Sequence, residues 1–121
     1  MQRDHEHDRL HLLHMRDAAY MVLEVAQDRN RADLDGDIHF QLALVKAVEL
    51  VGESAYQVSK RLRAESPHIP WQDIVDMRHV LVHNYWRVEM DVVWDTVKND
   101  IPSLITQLQQ LIDSEAKRNM G

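Results

Sequence analysis

The chain has 121 residues, a formal net charge of −6 with histidine neutral, and no cysteine, so disulfide and thiolate chemistry are excluded and the whole-molecule field does not attract nucleic acid. Only three glycines and three prolines interrupt it, and its abundance of Leu, Val, Ala, Glu and Gln favours helix over sheet. This length suits one domain with a core that needs no staples, and residues 1–121 are read as a single helical domain.

The first residues mix charge with histidine and lack the basic start, apolar run and small-residue cleavage site of an export signal. The longest apolar stretches, near Ala18–Val25 and Leu42–Val51, are broken by Glu24, Lys46 and Glu49 and are too short or too charged to span a bilayer. The expectation is a soluble, cytoplasmic protein with no membrane contact.

From about Asp8 to Gln27, Leu12, Met15, Ala19, Val22 and Ala26 recur at three- and four-residue intervals, which predicts an amphipathic first helix. Asp28–Gly36 is polar and reads as a loop, after which the Asp37 carboxylate can cap the next helix. That second helix is expected from about Ile38 to Arg63, with apolar rows Leu44-Val48-Val51-Ala55-Val58-Leu62 and Phe40-Ala43-Ala47-Leu50 that make it the central one. Gly52 inside it is unfavourable for helix by roughly 1 kcal/mol relative to Ala, which makes sense if another backbone crosses closely there.

Ser66-Pro67-His68-Ile69-Pro70 ends that helix, and Pro70 with Asp73 in the first turn starts a third, running to about His83. Its apolar stripe is Trp71, Ile74, Val75, Leu81 and Val82, with Arg78 in the middle. Beyond a connection at Asn84–Glu89, the row Met90, Trp94, Val97, Ile101, Leu104, Leu108 and Leu111 keeps helical phase across Pro102, which predicts a kink near Asp100 rather than a new helix. Asp113–Gly121 is polar and expected to fray. The fold class is therefore all-α, an antiparallel bundle of four to five helices.

Met77-Arg78-His79-Val80-Leu81-Val82-His83-Asn84-Tyr85 places a permanent cation, a group titrating near neutrality and a phenol along one segment. An Arg on an apolar face needs a partner, and Glu53, beside Gly52, is the obvious one. Helical residues advance about 100° each, so Arg78 and Tyr85 share a face, His79 and His83 are neighbours, and His83 is turned about 140° from Arg78. One straight helix cannot aim Arg78 and His83 at the same atom. A second copy of the chain across a two-fold axis can complete such a site.

Arg78, His83 and Tyr85 at this spacing, preceded by Ile69-Pro70-Trp71 and followed by Val92-Val93-Trp94 and Ile101-Pro102, resemble the motif of HepT-like toxins of the HEPN superfamily. The resemblance covers most of the chain. His79 and Asn84 stand where many relatives have Asn after the Arg and Gly before the Tyr. The resemblance implies a HEPN-like bundle forming a symmetric homodimer, and a metal-independent endoribonuclease without cofactor whose partners are RNA and a minimal nucleotidyltransferase antitoxin. It further implies Arg78 and His83 as catalytic groups, His79, Asn84 and Glu53 in support, and Tyr85 as the residue the antitoxin adenylylates. The residues suit this chemistry: imidazole can move the protons of 2′-hydroxyl attack, and guanidinium matches phosphate with a charge that does not titrate away.

Plainer readings compete. Arg78 can be a structural cation, His83 a solvated helix end and Tyr85 an interface aromatic, and the chain can be a non-catalytic subunit that binds a nucleotidyltransferase. His79 and His83 have metal-ligand spacing, but no Glu follows the first and no third ligand is evident, so no metal site is expected. Of the N-terminal histidines, His5, His7 and His11 are expected to be solvated, and His14, aligned with Ala18, Met21 and Val25, partly buried. Trp71 and Trp94 read as core anchors.

Overall fold

A computed structural model describes the backbone of residues 2–120 and the side chains of residues 5–118. The described residues are helical wherever they are regular: α1 Gln2–Ala26, α2 Asp33–Gly36, α3 Ile38–Gln57, α4 Lys60–Glu65, α5 Trp71–His83, a 3₁₀ turn Tyr85–Arg87, α6 Met90–Asp95, a π turn Thr96–Asp100 and α7 Ile101–Met120. α3 is central, with α1 and α5 packed against it and α7 against α1. The directions alternate. The start of α1 meets the end of α3 through His7 and Gln57, the start of α3 meets the residue after α5 through Gln41 and Tyr85, and the start of α1 meets the end of α7 through His5 and Glu115. This is the expected antiparallel bundle, and no helix among the described residues is long and apolar enough to cross a membrane.

The row Leu44-Val48-Val51-Ala55-Val58-Leu62 is buried throughout, and it joins Leu12, Met15, Ala19 and Val22 of α1, Val97 of the π turn and Ile101, Leu104 and Leu108 of α7 in one core. Asp37 caps α3 as expected, accepting from Phe40 N at 3.1 Å. Arg29, which donates to Asp37 at 2.8 Å and lies 4.1 Å over the Phe40 ring, and then the Phe40 N–H, hold that carboxyl below its usual range.

Five expectations need correction. α1 begins at Gln2, and the loop before Asp37 contains the short α2, whose Leu34 is buried. The second helix is two: Val58 and Ser59 are extended, and Ser59 caps α4 by accepting from Leu62 N at 3.2 Å. The tail from Asp113 onward continues α7, with Glu115 buried beside Arg118, which also reaches Glu65. Val82, assigned to the apolar stripe, is exposed.

At Pro102 the expected disruption takes the form of the π turn. Proline cannot donate to the carbonyl four residues back and its ring crowds that carbonyl, here Lys98, and the backbone widens instead, with Ile101 N–H donating to Thr96 O. Val97 and Ile101 stay buried across it.

Asp8 is the least expected core residue, at 2% exposed. It accepts from Ser59 N at 2.8 Å and from Ser59 Oγ at 2.7 Å, with Arg61 at 3.8 Å, so it ties α1 to the break between α3 and α4. A buried N–H left without a partner is costly. Asp8→Ala is expected to destabilise the fold by roughly 2–3 kcal/mol, measured by denaturant unfolding; a change within about 0.5 kcal/mol would show that the carboxylate is dispensable.

Candidate active site

Gly52 sets the geometry. A Cβ at this position would overlap Arg78 Cβ and lie 3.1 Å from Ile74 O, so the missing side chain lets α5 lie directly on α3. Glu53 then faces Arg78, and its Oε2 lies 2.8 Å from Arg78 Nη2 in an ion pair. The expected pair exists, and with 30% of the Arg side chain and 45% of the Glu side chain exposed it is open to a ligand. At such exposure an ion pair contributes little to stability, and the guanidinium keeps N–H donors for phosphate.

The histidines face elsewhere. His79 and His83 are exposed neighbours with ring centroids 4.5 Å apart, and no hydrogen bond or ion pair joins His83 to Arg78 among the described residues. Asn84 ends α5: its N–H donates to Val80 O at 2.8 Å and its carbonyl accepts from Arg87 N at 2.9 Å, which turns the chain into the 3₁₀ segment.

Tyr85 leads that segment, half-buried, its hydroxyl donating to the Gln41 side-chain carbonyl. The Gln41 amide donates to Leu34 O at 2.9 Å, which links the turn through α3 to α2. Burial raises the Tyr85 pKa above 10.0, so the phenol is neutral at neutral pH. Sequence reasoning missed both Gln41 and Trp86. The latter is 91% exposed with its ring edge-on to Tyr85 and has Arg87 beside it, and only the YWR tripeptide hinted at an aromatic and cationic rim.

Trp71 is a core anchor as expected, its indole N–H donating to Ser66 O at 3.0 Å, while Trp94 is half-buried against Phe40. The histidines of α1 depart from expectation. His14 is exposed and His11 partly buried, because α1 turns the line of Leu12, Met15 and Ala19 inward, and His11 borders it more closely. Among the described residues no three His, Asp or Glu side chains converge as metal ligands would. A cleft of about 480 Å³ between α3, α5, the π turn and the start of α7 is lined by Val48, Ile74, Met77 and Asn99 among others and includes none of Arg78, His83 and Tyr85.

The profile of the family described as Ribonuclease HepT-like matches residues 15–111. The chain belongs to the HepT-like ribonuclease family. It is 32% identical over 111 residues to a probable ribonuclease HepT of Thermococcus cleftensis, covering 92% of this chain and 98% of that one. A protein of Caldanaerobacter subterraneus subsp. tengcongensis with a provisional RNase name is 27% identical, covering 88% and 96%. A Methanocaldococcus jannaschii protein, whose name couples gamma-glutamylcyclotransferase to a provisional RNase, is 26% identical over 87% of this chain, which spans only 47% of that protein's length. No solved structure matches. The family match contains every HepT-like motif position named above, Arg78, His83 and Tyr85 included.

Two outcomes follow from the geometry. Gly52→Ala gains roughly 1 kcal/mol of helix propensity but must push α5 outward, and is expected to lose about 1–3 kcal/mol net in chemical unfolding; a more stable variant would refute the close crossing. Because the folded protein holds the Tyr85 proton more tightly than the unfolded chain, the Tyr85 contribution to stability falls as pH rises through 10.0 toward the folded pKa. A phenolate absorbance titration should therefore show a late component that Tyr85→Phe removes, and its persistence in that variant would contradict the burial.

Proposed function

We propose that this HepT-like protein is a metal-independent endoribonuclease toxin that cleaves RNA in a site shared by two copies of the chain. The observation that carries this reading is the pairing of a solvent-open Arg78, fixed on Glu53, with exposed imidazoles on the same helix. Cleavage by the neighbouring 2′-hydroxyl needs a base for that proton, an acid for the leaving 5′-oxygen and positive charge at phosphorus. In each of two composite sites, made of Arg78 from one protomer and His83 from the other, that His83 takes one of the proton roles. Arg78 supplies the charge, already held by Glu53 and so aimed before substrate arrives.

Val80, Val82 and Trp86 are exposed around the histidines, which supports α5 as the seam of a symmetric dimer. Such pairing brings Arg78 of one copy toward His83 of the other and doubles the local cation in an acidic molecule. His79 and Asn84 flank the seam and support substrate. Within the same reading, a minimal nucleotidyltransferase antitoxin transfers AMP to Tyr85. The new phosphodiester forms at the phenolic oxygen as pyrophosphate leaves ATP and the phenolic proton goes to solvent. The attached nucleotide then displaces Gln41 and competes for Arg78, blocking RNA. The resemblance of the motif supports this step, as does the placement of Tyr85 beside His83 in the chain.

Arg78→Ala and His83→Ala are each expected to lower RNA cleavage by roughly a hundredfold or more and to abolish growth arrest on expression without the antitoxin. Mixing the two inactive variants should restore roughly a quarter of wild-type sites, since half the dimers then hold one intact composite site. Mixtures as inactive as their parents would refute the shared site. RNA left intact by purified wild type that still binds a nucleotidyltransferase would establish the non-catalytic subunit instead.

A further inference from the structure

On the other side of Glu53 from Arg78, α1 and α3 enclose an open hollow of about 430 Å³. Its lining includes the apolar Ala18, Met21 and Leu50 together with His11 and His14. Its rim carries Asp17, Glu53, Ser54 and Gln57. The hollow shares Glu53 with the candidate active site. Glu53 Oε2 pairs with Arg78, Glu53 Oε1 accepts from Gln57 Nε2 at 3.4 Å, and the Gln57 carbonyl accepts from His7 Nε2 at 3.0 Å. The His7 ring stands 4.4 Å from His11, and His11 5.7 Å from His14. A line of contacts thus runs from the motif cation to the histidines of α1, none of which belongs to the motif.

The chemistry of this lining selects its occupant. Burial first, then the neighbouring His7 and His14, hold the His11 pKa below 6.5 against the opposing pull of Asp8 and Glu53, so the ring is neutral at neutral pH. A neutral His11 ring beside the Asp17 and Glu53 carboxylates offers a phosphate no cation, and the carboxylates repel it. A flat π system is favoured, since imidazole is among the side chains on which unstacked RNA bases stack. An ionised carboxylate only accepts hydrogen bonds, so the rim selects a base edge rich in N–H donors. Guanine, with N1–H beside its exocyclic amine, meets this best, whereas uracil turns two carbonyl oxygens toward the acids.

We propose that the hollow between α1 and α3 is a nucleobase subsite that takes a guanine flanking the scissile phosphate held at Arg78. The inference rests on the ribonuclease reading above for its place in the reaction. Base entry on one side of Glu53 and phosphate on the other uses that residue twice, as anchor for the guanidinium and as wall of the base site.

The test has a binding arm and a cleavage arm. In the wild-type protein, guanosine monophosphate should shift the His11 and His14 imidazole resonances and uridine monophosphate should leave them in place; equal shifts, or none, overturn the subsite. In cleavage of a mixed-sequence RNA, cuts should cluster beside guanine, and the surface substitution His14→Ala should raise KM for guanine-flanked sites roughly fivefold or more, the low end for losing one stacked base, with kcat within about twofold. Active His14→Ala with an unchanged base profile and KM overturns the subsite while leaving the ribonuclease reading intact. Wild type that cuts no RNA overturns the ribonuclease reading, and the nucleotide titration then decides the subsite alone.

Discussion

The approach of α5 to α3 depends on a side chain that is missing. With only hydrogen at Gly52, the backbone near Ile74 and the stem of Arg78 occupy space that any larger residue would claim. Two things follow from this crossing. The guanidinium is carried along the surface of α3 to Glu53 instead of into solvent, and α5 is rotated so that His79 and His83 face outward. A conformationally expensive glycine in the middle of the central helix is thus repaid by an oriented cation, and the candidate site inherits its rigidity from the most buried part of the bundle.

Helical period made much of this legible. The row from Leu44 to Leu62 lies in the core because its spacing keeps one face inward, and Trp71 is an anchor because a large apolar residue opens α5. The break at Val58–Ser59 was hidden by that same regularity, since Leu62 re-enters the core in phase after two extended residues. Asp8 was hidden for the opposite reason: a carboxylate within a polar run carries no period, and its partner lies 51 positions away. Pro102 announced a disturbance but could not specify its form, because a kink and a widened turn satisfy the same missing N–H.

At the candidate site, the pairing of Arg78 with Glu53 was readable because a cation on an apolar face needs a partner and Glu53 sits beside the glycine of the central helix. The bond from Tyr85 to Gln41 was not, since it joins a 3₁₀ turn to a distant helix and neither residue signals the other. The exposure of Trp86 and Val82 was equally hidden, because an apolar residue at helical spacing reads as core whether it faces its own bundle or a second molecule. The line from Arg78 through Glu53 to the α1 histidines likewise depends on three helices meeting at one point, which no local pattern encodes.

The five-residue turn before Pro102 binds chain length to composition. Because the widened turn carries one residue more than an ordinary one while Val97, Ile101 and Leu104 remain inward across it, deleting one residue between Thr96 and Asp100 would close the backbone into ordinary helix with the rest of α7 still in phase, while driving the proline ring into a carbonyl. Shortening this segment is therefore tolerable only together with loss of the proline. Insertions, deletions and the proline should travel together when such chains diverge, which makes this turn a ruler for aligning them.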